Sequence, residues 1–542
     1  MTRKILYTLT LAIVCIAATT DIHAQRRELT PDQKLRMAQA LIQSYYVEDV
    51  DGQQLTDEAI KAMLKTLDPH SSYTDADETK ELTQPLEGKF SGIGIQFNAA
   101  TDTVYVIQTV SGGPSEKVGI RPGDRIIAAD DSIIAGRKLP NSAILKILRG
   151  EKGSKVRLKV KRAGVPELIE FVVTRDDIPI HSVDAAYMAN DSTGYIRVSR
   201  FAEDTANEVT EAVEKLRKNG MRNLIIDLQD NGGGYLGAAV ELASEFLSKG
   251  DPVVYTKGLH SAPAYFNLEK DGKYRDMRVV VMVNQYSASA SEILSGALQD
   301  NDRGLIVGRR TFGKGLVQRP FPFPDGSMIR LTTARYYTPS GRSIQKHYEK
   351  GQGEEYMLDM LNRYKSGELW SADSIHQVDS LRYETLHNHR PVYGGGGIMP
   401  DVFVPVDTMF FSPYYRDLNA KGVINQFCLN YVDANREKLI KEYPTEDSFI
   451  EHFEITPKLE LQLIAAGTKE KVEFNEEQWL RSRDYVLAVI KGLLSRDLYE
   501  DGSALRAINP LISDYREALE LINDPERYNR LLRAGSAINP AK

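Results

Sequence analysis

Cysteine is nearly missing: two residues in 542, Cys15 and Cys428. Cys15 sits inside an apolar N-terminal stretch. If that stretch is removed, Cys428 is a lone thiol, no intramolecular disulfide can form, and its natural place is a buried apolar site. Nine histidines are scattered without the Cys/His spacing of a zinc site, so no metal or other cofactor is expected. The charge balance is only mildly one-sided, with 68 basic and 75 acidic side chains and a net charge of −7, which argues against nucleic acid as the partner. No ATP motif is found. Gly313-Lys314-Gly315 lacks both the glycine spacing and the Ser/Thr of a phosphate loop. No second long apolar run follows the N-terminal one, which predicts a chain that is soluble once that segment is gone.

The N-terminus itself reads Arg3-Lys4, an apolar run from Ile5 to Ala18, then Ile22-His23-Ala24. A short basic region, an apolar core and a small residue before the cut predict a secretory signal peptide over residues 1–24 and an exported, periplasmic product. A membrane anchor is the alternative, and the run is short for one. Val14 before Cys15 is not the small residue that lipid attachment wants.

Length and pattern predict several domains. Residues 25–87 carry helical periodicity, as in Leu35, Ala38, Leu41, Ile42 and Tyr45, and run down into the turn-rich Leu67-Asp68-Pro69-His70-Ser71-Ser72. Residues 88–176 switch to short alternating strands punctuated by glycine and proline turns. Over 177–407, continuous apolar strands such as Leu224–Leu228 and Val279–Val283 alternate with helices, the signature of strands buried on both faces in an α/β layer fold. Residues 408–542 are long, charged and helical, and carry no chemistry that the sequence discloses; a dimerisation element, a substrate cage or a docking platform are all open.

The chemistry concentrates in two segments. Ser287-Ala288-Ser289-Ala290-Ser291-Glu292 joins the strand at Val279–Val283 to a helix, and Thr311-Phe312-Gly313-Lys314-Gly315-Leu316-Val317-Gln318 follows. Strand, tight turn and helix expose a hydroxyl at a helix N-terminus, where free amides can hold an oxyanion. Ser289 is the natural elbow, Ser287 lies nearest the strand, and Ser291 suits an N-cap; the pattern by itself leaves the three open. A capped surface turn is the plain alternative, as a solvated side chain is for Lys314. Lys314 between Phe312, Leu316 and Val317 is nonetheless set for burial, which lowers a lysine pKa toward that of a usable base. Gln318, four residues on, is expected on the same side to orient the amine. Oxyanion donors are expected at Ala290 N–H and, from the loop Asn231-Gly232-Gly233-Gly234, at Gly233 N–H. Glu292 is expected chiefly to favour its helix N-terminus. Phe90-Ser91-Gly92-Ile93-Gly94-Ile95 fails as a nucleotide loop because a strand follows it, and reads instead as a carboxylate-binding loop at Gly92, Ile93, Gly94 and Ile95, with Ile93 and Ile95 beside a pocket for an apolar tail.

Gly112 to Ile127, with Pro122-Gly123-Asp124, resembles the helix-turn-strand of PDZ domains. Taken in order with Leu67–Tyr73, Asp227-Leu228 and its glycine loop, the serine turn, Thr311–Gln318, Tyr336–Arg342 and Gly397–Asp401, it makes residues 30–407 similar to the C-terminal processing peptidases, the PDZ-containing tail-specific proteases. That resemblance implies a multidomain α/β protein: a crotonase-like ββα core with an inserted PDZ domain, an N-terminal helical segment and a C-terminal helical extension. It implies Ser289 as nucleophile, Lys314 as base and Gln318 in support, with unfolded or tail-exposed proteins as substrates. Gln229 and Gly232 depart from an arginine and a proline common there, which touches the loop's stiffness rather than its donors. An inactive PDZ scaffold or chaperone, and a non-peptidase acyl enzyme on the same core, are the rivals. A homo-oligomer or an adaptor held by the C-terminal helices is the further partner expected.

Overall fold

In the computed structural model, residues 29–99, 103–375, 379–500 and 502–534 are described. The expected signal peptide falls outside them. No helix among the described residues is long and apolar enough to cross a membrane. The chain divides after Leu64 into two compact units. In the first, Thr30 caps the helix Pro31–Tyr45 through a reciprocal capping box with Gln33, and Gln39 donates to Thr56 of the next helix at 3.2 Å.

The second unit opens with the expected turn at residues 67–70, after which a short strand, Ser72–Thr74, precedes the helix Ala76–Glu87 and pairs antiparallel with Met328–Tyr337. The reason is polar. Asp68 accepts from the amides of His70 and Ser71 and from the hydroxyls of Ser71 and Thr332, tying the turn to the far strand. Met328–Tyr337 is also paired with Leu316–Pro322 and Pro252–Lys257, in an antiparallel five-stranded sheet.

A second sheet of six strands runs in the order Val183–Met188, Thr193–Val198, Asn223–Asp227, Arg278–Val283, Leu305–Gly308, Val402–Phe403. All its pairs after the first are parallel. Both faces are covered, which is why Val279–Val283 has no polar alternation. Val279, Val281 and Val283 pack under the helices Thr205–Lys218, Leu236–Ser244 and Ala290–Asp300. Val280 and Met282 meet Tyr515, Ala518, Leu521, Ile522 and Tyr528 from the end of the chain. The covering layer on that second face is a C-terminal contribution the sequence did not reveal.

Residues 95–174 form a separate antiparallel sheet around Val104, Val106, Ile126, Val156, Leu158 and Val160, closed by the short helix Asn141–Leu148. Lys89–Gly92 and Asp176–Pro179 pair with each other where the chain enters and leaves this module. Helices from Pro413 to Leu498 build their own core around Cys428, Phe449, Leu463 and Ile490, and Cys428 is buried as expected. Asp433 from that bundle pairs with Arg125 of the 95–174 module at 2.6 Å, beside the buried contact of Leu429 with Tyr105 and Ile107.

The parallel sheet leaves no room at its C-terminal edge. A Cβ on Gly308, where φ is +126°, would lie 2.0 Å from the Val283 carbonyl oxygen. Gly308→Ala must therefore separate two central strands, and it should lower unfolding free energy by about 2 kcal/mol or more, read from a thermal melt.

Candidate active site

The central strand Arg278–Val283 ends in a turn that delivers Ser289 to the start of the helix Ala290–Asp300. Ser289 is held at φ 57° and ψ −113°, a conformation that costs a non-glycine residue energy and persists only where neighbours enforce it. The two flanking serines are those neighbours. Ser287 is fully buried; its hydroxyl donates to Leu228 O at 2.8 Å and accepts from Asn284 N–H. Ser291, also fully buried, donates to Asn231 O at 2.9 Å. Ser289 is the half-buried member of the three. It is also the N-cap, because its carbonyl already accepts from the amides of Glu292 and Ile293. Ser291 is thus two residues too far along for the capping role expected of it.

The glycine loop lies directly on this elbow. Ala288 N–H donates to Asn231 O at 3.0 Å. At Gly233, with φ +101°, a Cβ would fall 2.8 Å from Ser289 Cβ and 2.9 Å from Ala290 N, so only glycine fits. The backbones of Gly233 and Ala290, both expected as oxyanion donors, are therefore side by side. Ala290 is the first residue of its helix, where amides lack an intrahelical acceptor. Gly233 N–H is already engaged, donating to Asn231 Oδ1 at 2.8 Å, while Asn231 Nδ2 donates to Val198 O.

Glu292 joins the serine turn to the lysine segment, and here the sequence reading needs correcting. Rather than serving its own helix end alone, the fully buried carboxylate accepts four hydrogen bonds. Oε1 takes the Thr311 hydroxyl at 2.6 Å and Gly313 N–H at 2.7 Å. Oε2 takes Ser289 N–H at 2.8 Å and Lys314 N–H at 2.9 Å. Burial raises its pKa and those four bonds oppose the rise. Tyr336 adds a second tie. Its hydroxyl donates to the Lys314 carbonyl and lies 3.1 Å from that of Ser289. The Ser289-x-x-Glu292 spacing marks only the bond to Ser289 N–H; nothing local marks Glu292 for Thr311, Gly313 and Lys314 or Tyr336 for Lys314, since those partners lie further along the chain.

Lys314 belongs to neither a helix nor a strand; it precedes the strand Leu316–Pro322 in a bend that Gly313 makes at φ +87°. Its pKa is lowered from 10.5 to about 8, by burial first and then by the charge of Arg330, with Glu292 and Asp68 acting in the opposite sense. His70 shares this pocket: burial first, then the charge of Lys314, drives its pKa down to about 3, so it is neutral at any ordinary pH. Its Nε2 lies 2.8 Å from the Tyr356 hydroxyl. His70 and Arg330 escaped the sequence reading, although His70 stood in a quoted motif. Gln318 lies on the strand beyond a register shift between Val317 and Gln318, and its Nε2 is buried without a hydrogen-bond partner. The Gly394–Gly397 run brings the chain back to this core, for Thr311 Oγ1 accepts from Ile398 N–H at 2.6 Å.

In the 95–174 module Gly92 ends a strand, Gly94 has φ +71°, and Ile95 starts the edge strand Ile95–Asn98. The Ile93 side chain is 3% exposed and packs with the module's core, and its carbonyl accepts from the Ser115 hydroxyl. A groove of about 570 Å³ nearby is lined by Ser91, Leu145, Arg149 and Gly150, with Lys80 and Gln84 of the helix Ala76–Glu87. Ser91 Oγ and Arg149 Nε are buried there without partners. Among the described residues, no group of three His, Cys, Asp or Glu side chains could hold a metal ion.

Comparison with known proteins adds four family matches. Peptidase family S41 matches residues 192–351, and a PDZ domain matches 91–185. The N-terminal domain of the activating protease CtpB matches 15–79, and a family of unknown function matches 414–501. The chain is 33% identical over 387 residues to the carboxy-terminal processing protease CtpA of Bacillus subtilis, covering 69% of this chain and 82% of that protein. It is 36% identical over 376 residues to CtpB of the same organism, covering 69% and 76%. A solved photosystem II D1 C-terminal processing protease is 29% identical, with a TM-score of 0.34 over 58% of this chain and 91% of that one.

The buried carboxylate makes a direct forecast. Glu292→Gln puts an amide NH₂ where two donors now meet one oxygen, leaving buried N–H groups unpaired at roughly 1–3 kcal/mol each. The variant should melt at a clearly lower temperature by calorimetry. An unchanged midpoint would show that the four bonds do not hold the two segments together.

Proposed function

The chain belongs to the serine-type carboxy-terminal processing proteases of peptidase family S41, and on that premise we propose that Ser289 and Lys314 are its nucleophile and base. The observation that carries the proposal is the pairing of a strained, half-buried serine with a buried lysine whose pKa falls to about 8, their amides sharing one oxygen of Glu292. Neutral Lys314 Nζ takes the proton of Ser289 Oγ as that oxygen bonds to the scissile carbonyl carbon. The carbonyl oxygen, now an anion, is received by Ala290 N–H, with Gly233 N–H as second donor once the substrate oxygen competes with Asn231 Oδ1. The lysine proton passes to the departing amine as the C–N bond breaks. Water then gives its proton to Lys314 and attacks the acyl-enzyme, which frees the new carboxylate and restores Ser289. Gln318 supports the amine, its amide oxygen accepting an N–H of neutral Lys314 so that the lone pair faces Ser289.

The finer architecture belongs to the same reading: a crotonase-like core into which a PDZ domain is inserted, with domain limits near residues 88, 177 and 408. The strand Ser72–Thr74 supports it, since it lies before that module in sequence yet pairs with Met328–Tyr337 after it. The PDZ domain takes the free C-terminus of an unfolded or tail-exposed chain, and the loop Gly92–Ile95 supplies backbone amides to its carboxylate. The N-terminal pattern supports export to the periplasm. An inactive scaffold is the weaker reading, for a binding protein has no use for strain at Ser289 or for a buried, deprotonatable lysine.

Ser289→Ala and Lys314→Arg should each lower kcat/KM on an unfolded polypeptide by roughly 10³-fold or more, the arginine because it stays charged. Wild-type activity should rise with pH through about 8, as the folded lysine loses its proton, rather than through the 10.5 of a free amine. An active Lys314→Arg enzyme, or a rising limb near 10.5, would sink the assignment.

Tail reading has its own test. One unfolded substrate is compared with a free apolar C-terminus, amidated, and ending in aspartate. The blocked and acidic tails should raise KM, and equal rates for all three would show that the PDZ domain ignores the tail.

A further inference from the structure

Both loops of the active site are held from the far end of the chain. Gln229 begins the approach to the glycine loop, its amide anchored on Asp227 Oδ1, and its Nε2 donates to Asp514 Oδ1 at 3.1 Å. On the other side, Arg309 follows the strand Leu305–Gly308. Its Nε donates to Gln285 Oε1 at 3.0 Å, within the turn that leads to Ser289. Its Nη1 donates to Asp514 Oδ1 at 2.9 Å, to Oδ2 at 3.2 Å and to Val404 O. One carboxylate, 4% exposed, thus meets the loop that carries Gly233 and, through a single guanidinium, the turn that carries Ser289.

We propose that Asp514 is a positioning residue for peptide hydrolysis, through which the C-terminal helix sets the glycine loop and the nucleophile turn relative to one another. The inference rests on the Ser289–Lys314 reading. Anchoring of the helix Ser513–Asn523 does not need the aspartate. Tyr515, Ala518, Leu521 and Ile522 are buried against the sheet and supply the apolar contact, and Tyr528 of the next helix is tied to Val279 through its hydroxyl. Burying a carboxylate and a guanidinium together is a poor way to gain stability, because desolvation offsets most of their attraction. It is a good way to impose geometry, because the planar guanidinium accepts only a narrow range of carboxylate and amide positions. Oxyanion catalysis requires such geometry: a donor displaced by a fraction of an ångström loses much of its effect on the transition state while hardly touching ground-state binding. Among the described residues, Gln229 and Arg309 hydrogen-bond to no other C-terminal side chain, so the polar coupling passes through one residue. The helical region 413–534 therefore reaches the chemistry as well as the PDZ domain, to which it is joined at Asp433.

The experiment uses the full chain and an unfolded polypeptide substrate. Asp514→Ala should lower kcat tenfold or more with KM within twofold, and should slow labelling of Ser289 by a fluorophosphonate. Asp514→Ala and Gln229→Ala together should cost little more than Asp514→Ala alone, since the aspartate substitution already cuts the Gln229 arm. Glu517→Ala, on the same helix as Asp514, removes only the ion pair with Arg527 of the next helix and should keep full activity. Full kcat in folded Asp514→Ala, strictly additive losses, or an equal loss in Glu517→Ala would overturn the proposal. Should Asp514→Ala fail to fold, Gln229→Met leaves the helix untouched and must still lower kcat at constant KM; an unchanged kcat overturns it there too. Loss of the dyad reading looks different: Ser289→Ala would then retain activity.

Discussion

Glu292 is the constraint on which the rest of the active site depends. Four donors converge on a carboxylate with no exposed surface, two on each oxygen, and they come from residues 289, 311, 313 and 314. Ser289 on a strand-to-helix turn and Lys314 on a separate bend have no covalent reason to stay in register. The carboxylate supplies the reason, and Tyr336 repeats it on the carbonyl side. Because the four donors are satisfied, the charge can be buried despite its solvation cost, and its presence in turn works against the depression of the Lys314 pKa. Burial and Arg330 outweigh that opposition, which leaves the amine near 8, so that it loses its proton far closer to neutral pH than a free lysine does.

The second theme is how distant parts of the chain converge on a small region. Asp68 ties the segment after the first helices to Thr332, and His70 stands close enough to Lys314 to feel its charge. Asn231 organises the glycine loop with its side chain and the serine turn with its carbonyl. Strain follows the same map, with Asp230, Gly233 and Ser289 all at positive φ in adjoining turns. Such conformations last only where several independent contacts over-determine them, and here the contacts come from four separate stretches of sequence.

The sheet shows the same economy. Its helices cover one face, as in any layered α/β protein, while the chain's last helices cover the other. A protease core without residues 513–534 would expose Val280, Met282, Leu305 and Val307 to water, a large apolar surface to leave open. The C-terminal region is therefore part of the core's architecture, whatever further partners it has.

Much of this was legible beforehand. Val279–Val283 announced a strand buried on both sides, the serine run announced a tight turn into a helix, and Phe312, Leu316 and Val317 announced a sheltered lysine, because each depends on neighbours a few residues away. Lys314 itself proved to lie in a glycine-made bend, so its spacing to Gln318 had no helix or strand to run along. Tertiary structure alone decided which groups close the site. The Ile93 side chain packs with the module's core, a placement that no local pattern around its two flanking glycines announces. Glu292 turned from its helix end to Thr311, Gly313 and Lys314, and Asp514 met Gln229 some 285 positions away. A buried carboxylate must find donors wherever folding brings them, and sequence distance places no limit on which donors those are.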